Sequence, residues 1–144
     1  MNIEELESEW AADAHINTSD LANESAKIPK LHAKYYKFYI REKISLNKIN
    51  QDITDLRHLL TRFYAKDLTI DELQEYNLTY PDVKIMKSDI DRWVETHSEM
   101  VELKKKSGTK LEKIDFLKSI LNQINNRSFQ INNSIKFIMF QNGE

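Results

Sequence analysis

Residues 27–64 read KIPKLHAKYYKFYIREKISLNKINQDITDLRHLLTRFY, and their spacing decides the fold. Ile28, Leu31, Tyr35, Phe38, Leu46, Ile49, Ile53, Leu56, Leu60 and Phe63 recur at helical steps. At ~100° per residue they occupy about 100° of a helix, the width of one buried stripe. Glu42 is the single polar interruption. Beside this stripe runs a line of cations. Lys27, Lys30, Lys34, Lys37, Arg41 and Lys48 are spaced 3, 4, 3, 4 and 7. They share an arc of roughly 80°. Pro29 removes a backbone donor, so the expected helix from Asp20 to about Tyr64 breaks, bends or begins near Ile28.

Outward from this helix the charge is segregated. Residues 1–26 carry seven acids and no lysine or arginine. Residues 27–48 carry seven bases and one acid. Residues 67–102 return to acid, at -7, and residues 103–144 to base, at +5. The whole chain is only at -2. A basic line on a slightly acidic chain points to an extended anionic partner. The alternative is a solvated helix face.

The 144 residues suit one domain, and with only two Gly and two Pro the composition favours long helices. There is no cysteine, which removes disulfides, thiolate metal sites and cysteine nucleophiles. No apolar run approaches the ~18 residues of a membrane span, and the acidic N-terminus does not read as a targeting signal. The expectation is a soluble intracellular protein.

A short first helix is expected from Ile3 to about Asp13, with Ile3, Leu6 and Trp10 on one side. Asn17, Thr18 and Ser19 offer caps for the next. After Lys66 comes a connector, where Thr69 and Glu72 form a capping-box pair ahead of one or two turns, Ile70 to Tyr76. A third helix starts near Asp89, capped by Ser88 and Asp91, and Lys104–Gly108 is a possible interruption. The final segment is a heptad seam: Ile114, Leu117, Leu121, Ile124, Ser128, Ile131, Ile135 and Ile138. Phe116, Ile120, Phe129, Phe137 and Phe140 widen it. The seam either packs within the chain or joins copies. Its isoleucine content and width lean to a higher-order ring or barrel.

The fold class read from this pattern is all-α: a short N-terminal helix, a long basic amphipathic helix, and C-terminal helices forming an oligomeric ring or barrel. One helical domain spans 1–144. It comprises N-terminal helices with the polyanion-binding line over 1–66, a connector over 67–88, and oligomerisation helices over 89–144.

No catalytic constellation is present. His15, His32, His58 and His97 are too scattered for a metal motif, and Gly108 and Gly143 stand alone, so there is no phosphate-cradling loop. The reading is no enzyme, no metal and no cofactor. Tyr36 lies off the apolar stripe and is the aromatic best placed to stack on a base while lysines meet phosphates. Arg57, His58 and Arg62 make a second basic group, in LRHLLTRFY. The oligomerisation set is Ile114, Leu117, Leu121, Ile124, Phe129, Ile131, Ile135 and Ile138.

Several stretches resemble the UvsY family, the recombination mediators of T-even-type phages. They are IEELESEWAADAHINTSDLANESA at the start, YKFYIREKISLNKI in the basic stretch, and DFLKSILNQINNRSFQINNSIKFIMFQNG at the end. LRHLLTRFY stands where the family has a Leu-Lys-x-Arg-Leu motif followed by two tyrosines. One register puts Arg57 and Leu59 at the motif's two charges, and the other puts His58 and Leu60 there. Arg57 carries over best, with Arg62 one turn on. The resemblance implies single-stranded DNA binding, a ring-like homo-oligomer of six or seven subunits, and no nucleotide hydrolysis. It also implies loading of a RecA-like phage recombinase onto strands coated by phage single-strand binding protein, in the host cytoplasm. The runner-up is a helical adaptor whose basic face binds an acidic protein segment.

Overall fold

Pro29 falls in the first turn of a helix, where a missing N–H leaves no intrahelical acceptor unused. The preceding helix stops at Ala26, and Lys27 belongs to both ends: its N–H reaches the Asn23 carbonyl and its carbonyl accepts from Leu31. The computed structural model describes residues 1–144 as α1 (Ile3–Asp13), α2 (Leu21–Ala26), α3 (Ile28–Tyr64), α4 (Ile70–Glu75), α5 (Ile90–Thr96), α6 (Ser98–Asn125) and α7 (Arg127–Gln141). A 3-10 turn, Lys87–Asp89, precedes α5, and no strand occurs.

The local signals act as physical chemistry requires, with five departures. Asn2 and Glu5 close a capping box on α1, and Thr69 and Glu72 do the same on α4. The expected caps of α2 act differently. Asn17 takes the Ser19 N–H and hydroxyl in its own turn, and Asp20 occupies the cap position without a side-chain bond. The helix expected near Asp89 opens as the 3-10 turn, and the cap residue of α5, Asp89, makes no side-chain bond. It then breaks at His97, whose extended backbone starts α6 and whose Nδ1 accepts from Glu99 N–H at 3.3 Å. Gly108 does not interrupt α6, because the long flanking runs of good helix formers outweigh one glycine. Asn126 interrupts the expected C-terminal seam instead, between α6 and α7.

The chain divides into two compact units, Met1–Ile44 with Leu111–Glu144, and Ser45–Lys110. Both α3 and α6 contribute to each. In the first unit, Leu6 and Trp10 of α1 meet Tyr35 and Phe38 of α3 and Leu117, Ile120 and Ile124 of α6. Trp10 and Phe38 each approach Tyr35 edge-on, at 5.4 and 5.7 Å between ring centres. Glu42, the polar interruption in the stripe, is met by Lys113 at 3.7 Å.

In the second unit, Ile53, Leu60, Phe63 and Tyr64 of α3 pack with Leu68, Val94 and Met100. The connector is held by one phenol: Tyr80 stacks on Phe63, and its hydroxyl accepts from Leu68 N–H and donates to Leu68 C=O. Helix α3 ends in a left-handed turn. Asp67 N–H returns to the Arg62 carbonyl at 2.9 Å, with Lys66 at φ 60 where glycine is usual. Asn77, at φ 52, closes α4 in the same way through Leu78.

Candidate nucleic-acid interface

The first turns of α3 bury Tyr35 and Leu31 inward, and the helical period then fixes where the cations go. Lys30, Lys37, Arg41 and Lys48 are exposed, and none makes an ion pair. Two members of the expected line are engaged by the chain itself. Lys34 is half-buried between Glu9 at 2.8 Å and Asp13 at 2.6 Å. Lys27 meets Glu24 at 3.2 Å.

The Lys34 contact is built rather than incidental. The Tyr35 hydroxyl donates to the same Asp13 oxygen at 2.7 Å. Burial pushes the Asp13 carboxyl up, but hydrogen bonds from Lys34 and Tyr35 and the Lys34 charge outweigh it, leaving it below its ordinary value. Burial works against the Lys34 ammonium too, and its bonds to Asp13 and Glu9 hold it above its ordinary value. Burial, then Asp13, raise the Tyr35 phenol far above its usual range.

Tyr36 is exposed and stacks on His32, with centroids 5.7 Å apart and planes 14° apart. Tyr39 and Lys43 extend this row, the Lys43 ammonium lying 5.6 Å from the Tyr39 ring centre. Tyr36 is about 100° around the helix from Lys37, so the ring and the cation line are not adjacent. Between them, on the outward side, lie Ala33, Ile40 and Ile44, and Ile44 is 64% exposed. The solvent face of α3 therefore has cations on one edge, aliphatic surface in the middle and a tyrosine on the other edge. Ile40 and Ile44 were missed by the sequence reading. Their signal was present, since both fall off the apolar stripe.

The second basic group is arranged differently. Arg57 Nε lies 2.7 Å from Glu95 Oε1, and Lys104 bonds the other Glu95 oxygen. Hydrogen bonds from Arg57 and then Lys104 bring the Glu95 carboxyl down to about 2. Arg62 forms a two-pronged pair with Glu72, at 2.9 and 3.1 Å, which lowers that carboxyl. His58 is exposed.

The C-terminal seam is divided. Ile114, Leu117, Ile124 and Ile131 are buried within the chain and Leu121 is partly buried; α1 and α3 pack against Leu117, Leu121 and Ile124 of α6. Phe129, Ile135 and Ile138 stay exposed on α7. Phe137, Met139 and Phe140 join them, Phe140 at 78% exposure. The interruption at Asn126 has a partner in space. Arg127, only 3% exposed, donates to the carbonyls of Asp13, Ala14 and His15 and to Glu24 at 3.0 Å. This ties α7 to the α1–α2 loop. Its hydrogen bond, with that from Lys27, outweighs burial and lowers the Glu24 carboxyl.

No group of three or more His, Cys, Asp or Glu is placed to hold a metal ion, and no helix is long and apolar enough to cross a membrane. Comparison with known proteins fits this geometry. Residues 9–144 match the family described as "Recombination, repair and ssDNA binding protein UvsY". The fold is similar to the crystal structure of the bacteriophage T4 recombination mediator protein UvsY, with a TM-score of 0.85 at 18% identity, covering 98% of each chain. Among curated protein sequences none matches. The match over nearly the whole sequence places the chain in the UvsY family.

Proposed function

We propose that this UvsY-family chain binds single-stranded DNA along the solvent face of α3 and acts as a recombination mediator. It helps a RecA-like phage recombinase load onto DNA coated by single-strand binding protein, in the host cytoplasm, with no catalytic step or cofactor of its own. One observation carries the reading: Lys30, Lys37, Arg41 and Lys48 are exposed, unpaired and in line on one helix. Phosphates would take these four, and displaced counterions would supply much of the affinity. Ile40, Ile44 and Tyr36 offer bases a surface beside them.

The exposed apolar end of α7 supports association of copies, which this reading takes to be a ring of six or seven. A contiguous apolar surface of this kind is rarely left wet. Several weak strand sites in one assembly act at a high shared concentration. A strand constrained this way would loosen the single-strand binding protein and favour the recombinase. The test is mass by light scattering, with and without oligonucleotide, for the native chain and Ile135→Glu. Ile135 is 40% exposed, so the charge does not disturb the chain's own core, whereas Ile131 at 2% would. An oligomer would bury several carboxylates at one layer without partners and should dissociate. Its strand affinity should fall with it. An Ile135→Glu chain that stays helical and at native mass would put the interface elsewhere.

The adaptor reading keeps one observation in its favour: Lys34 of the same face already accepts two carboxylates. Affinity that rises with oligonucleotide length supports the strand reading. An absence of strand binding at low salt supports the adaptor.

A further inference from the structure

A further basic group lies in the Ser45–Lys110 unit, on lysines given no role above. Its floor is Tyr64 from the end of α3, with Ile85 and Ile90 beside it. Its rim is Lys66, Lys84 and Lys87, together enclosing a groove of about 620 Å³. All three lysines are exposed, and none makes an ion pair. Of the acids close to them in sequence, only Asp89 is turned to another cation. The Asp89 carboxylate is 3.8 Å from Arg92, and Asp67 is exposed and makes no ion pair. Asp82 is exposed and makes no ion pair.

Two features say what kind of anion fits. The aromatic floor offers no free ring face. Tyr64 is 9% exposed, with Phe63, Trp93 and His97 against it at 4.9, 5.6 and 6.2 Å. A nucleobase therefore has nothing to stack on, and stacking is the main sequence-tolerant contribution to single-strand binding. The accessible apolar surface is aliphatic instead. Val83 and Met86, next to Ile85 in an irregular segment, are 56% and 65% exposed. The three cations line one groove together with Tyr64, Ile85 and Ile90. Lys66 sits on the rim in a left-handed conformation that glycine fills at lower cost.

We propose that this groove docks an acidic peptide segment of a protein partner, one apolar side chain seated on Ile85, Ile90 and Tyr64 and flanking carboxylates on Lys66, Lys84 and Lys87. The charge complementarity selects the partner and speeds encounter, and the buried apolar anchor supplies the residence time. This goes beyond the strand-binding reading and does not depend on it.

The experiment is fluorescence anisotropy on the full chain. The probe is a labelled peptide of about twelve residues, six of them Glu or Asp, around a central Leu-Phe pair. Saturable binding is expected, with Kd on the order of 10–300 μM. Replacing Glu and Asp by Gln and Asn, or Leu-Phe by Ser-Ser, should each weaken it at least about tenfold. The double variant Lys84→Glu, Lys87→Glu should lose about tenfold or more for the native peptide, while its oligonucleotide affinity stays within about threefold. Both positions are exposed, and circular dichroism confirms that the variant is folded. No peptide binding up to about 1 mM, or equal binding by the variant, overturns the proposal. An oligonucleotide loss as large as the peptide loss also overturns it, making the groove a strand contact. Native chain that binds peptide but no oligonucleotide would sink the strand-binding reading alone.

Discussion

Two basic groups share α3 and have opposite fates. Lys30, Lys37 and Arg41 stand free on the solvent face, while Lys27 and Lys34 of the same line are held by acids of α1 and α2. More than four turns later, Arg57 and Arg62 are each held by an acid beyond the end of the helix, Glu95 and Glu72. Helical spacing decides which way a side chain points. It does not decide whether the charge is available, because that depends on acids brought in by other elements. A free lysine exchanges counterions for a phosphate, whereas a clamped arginine must first release a carboxylate.

The largest break in this comparison should come from the free group. Lys30→Ala, Lys37→Ala and Arg41→Ala together should weaken single-strand binding about a hundredfold near 0.1 M salt. The log–log salt slope should become shallower by about 2, roughly 0.7 for each of three contacts. Because none of the three holds an ion pair, the unfolding midpoint should hardly move. An unchanged slope with unchanged affinity would reduce the line to a solvated face.

Freeing the clamped charges sharpens the comparison with a smaller, opposite effect. Glu95→Gln releases Arg57 and Lys104, and Asp13→Asn weakens the hold on Lys34. If availability is what separates the two groups, each should gain up to about fivefold in strand affinity, the worth of one added contact near 0.1 M salt. The salt slope should steepen with it. Filter binding or anisotropy at several salt concentrations reads both. A loss in either variant would mean that the acid positions the site instead of competing for it.

Much of this was legible in the sequence, and the rest was hidden for identifiable reasons. Every member of the apolar stripe from Ile28 to Phe63 is buried or partly buried, since the 3.6-residue period acts locally. Pro29 and the Thr69–Glu72 box mark ends through bonds within one turn. The partners of Lys34, Arg57 and Arg62 lie 21, 38 and 10 residues away, and no local pattern announces them. The same holds for the C-terminal seam. Its period is continuous, but α1 covers only part of it, and Arg127 bonds the α1–α2 loop more than 100 residues away, just past the break at Asn126. A one-dimensional pattern reports a face, and only packing reports what covers it.

The smallest expected effect is the most direct reading of the clamp. Glu95 has its carboxyl brought down to about 2 from an ordinary 4.5, first by Arg57 and then by Lys104. A depressed carboxyl contributes stability that is present above 4.5 and is lost as pH falls through about 2. Glu95 therefore stays charged, and able to hold Arg57, throughout the range where strand binding is measured. Arg57→Ala should change single-strand affinity by no more than about twofold at pH 7, far less than the free group. The same substitution should raise the pH midpoint of the Glu95 carboxyl resonance in an NMR titration, with Lys104 keeping it from reaching the ordinary value. The two measurements guard each other. If Glu95 of the native chain titrates near 4.5, the clamp is open in solution and Arg57 is as available as Lys37. The affinity loss for Arg57→Ala should then match that of a single lysine in the line, and the two basic groups would differ in position only.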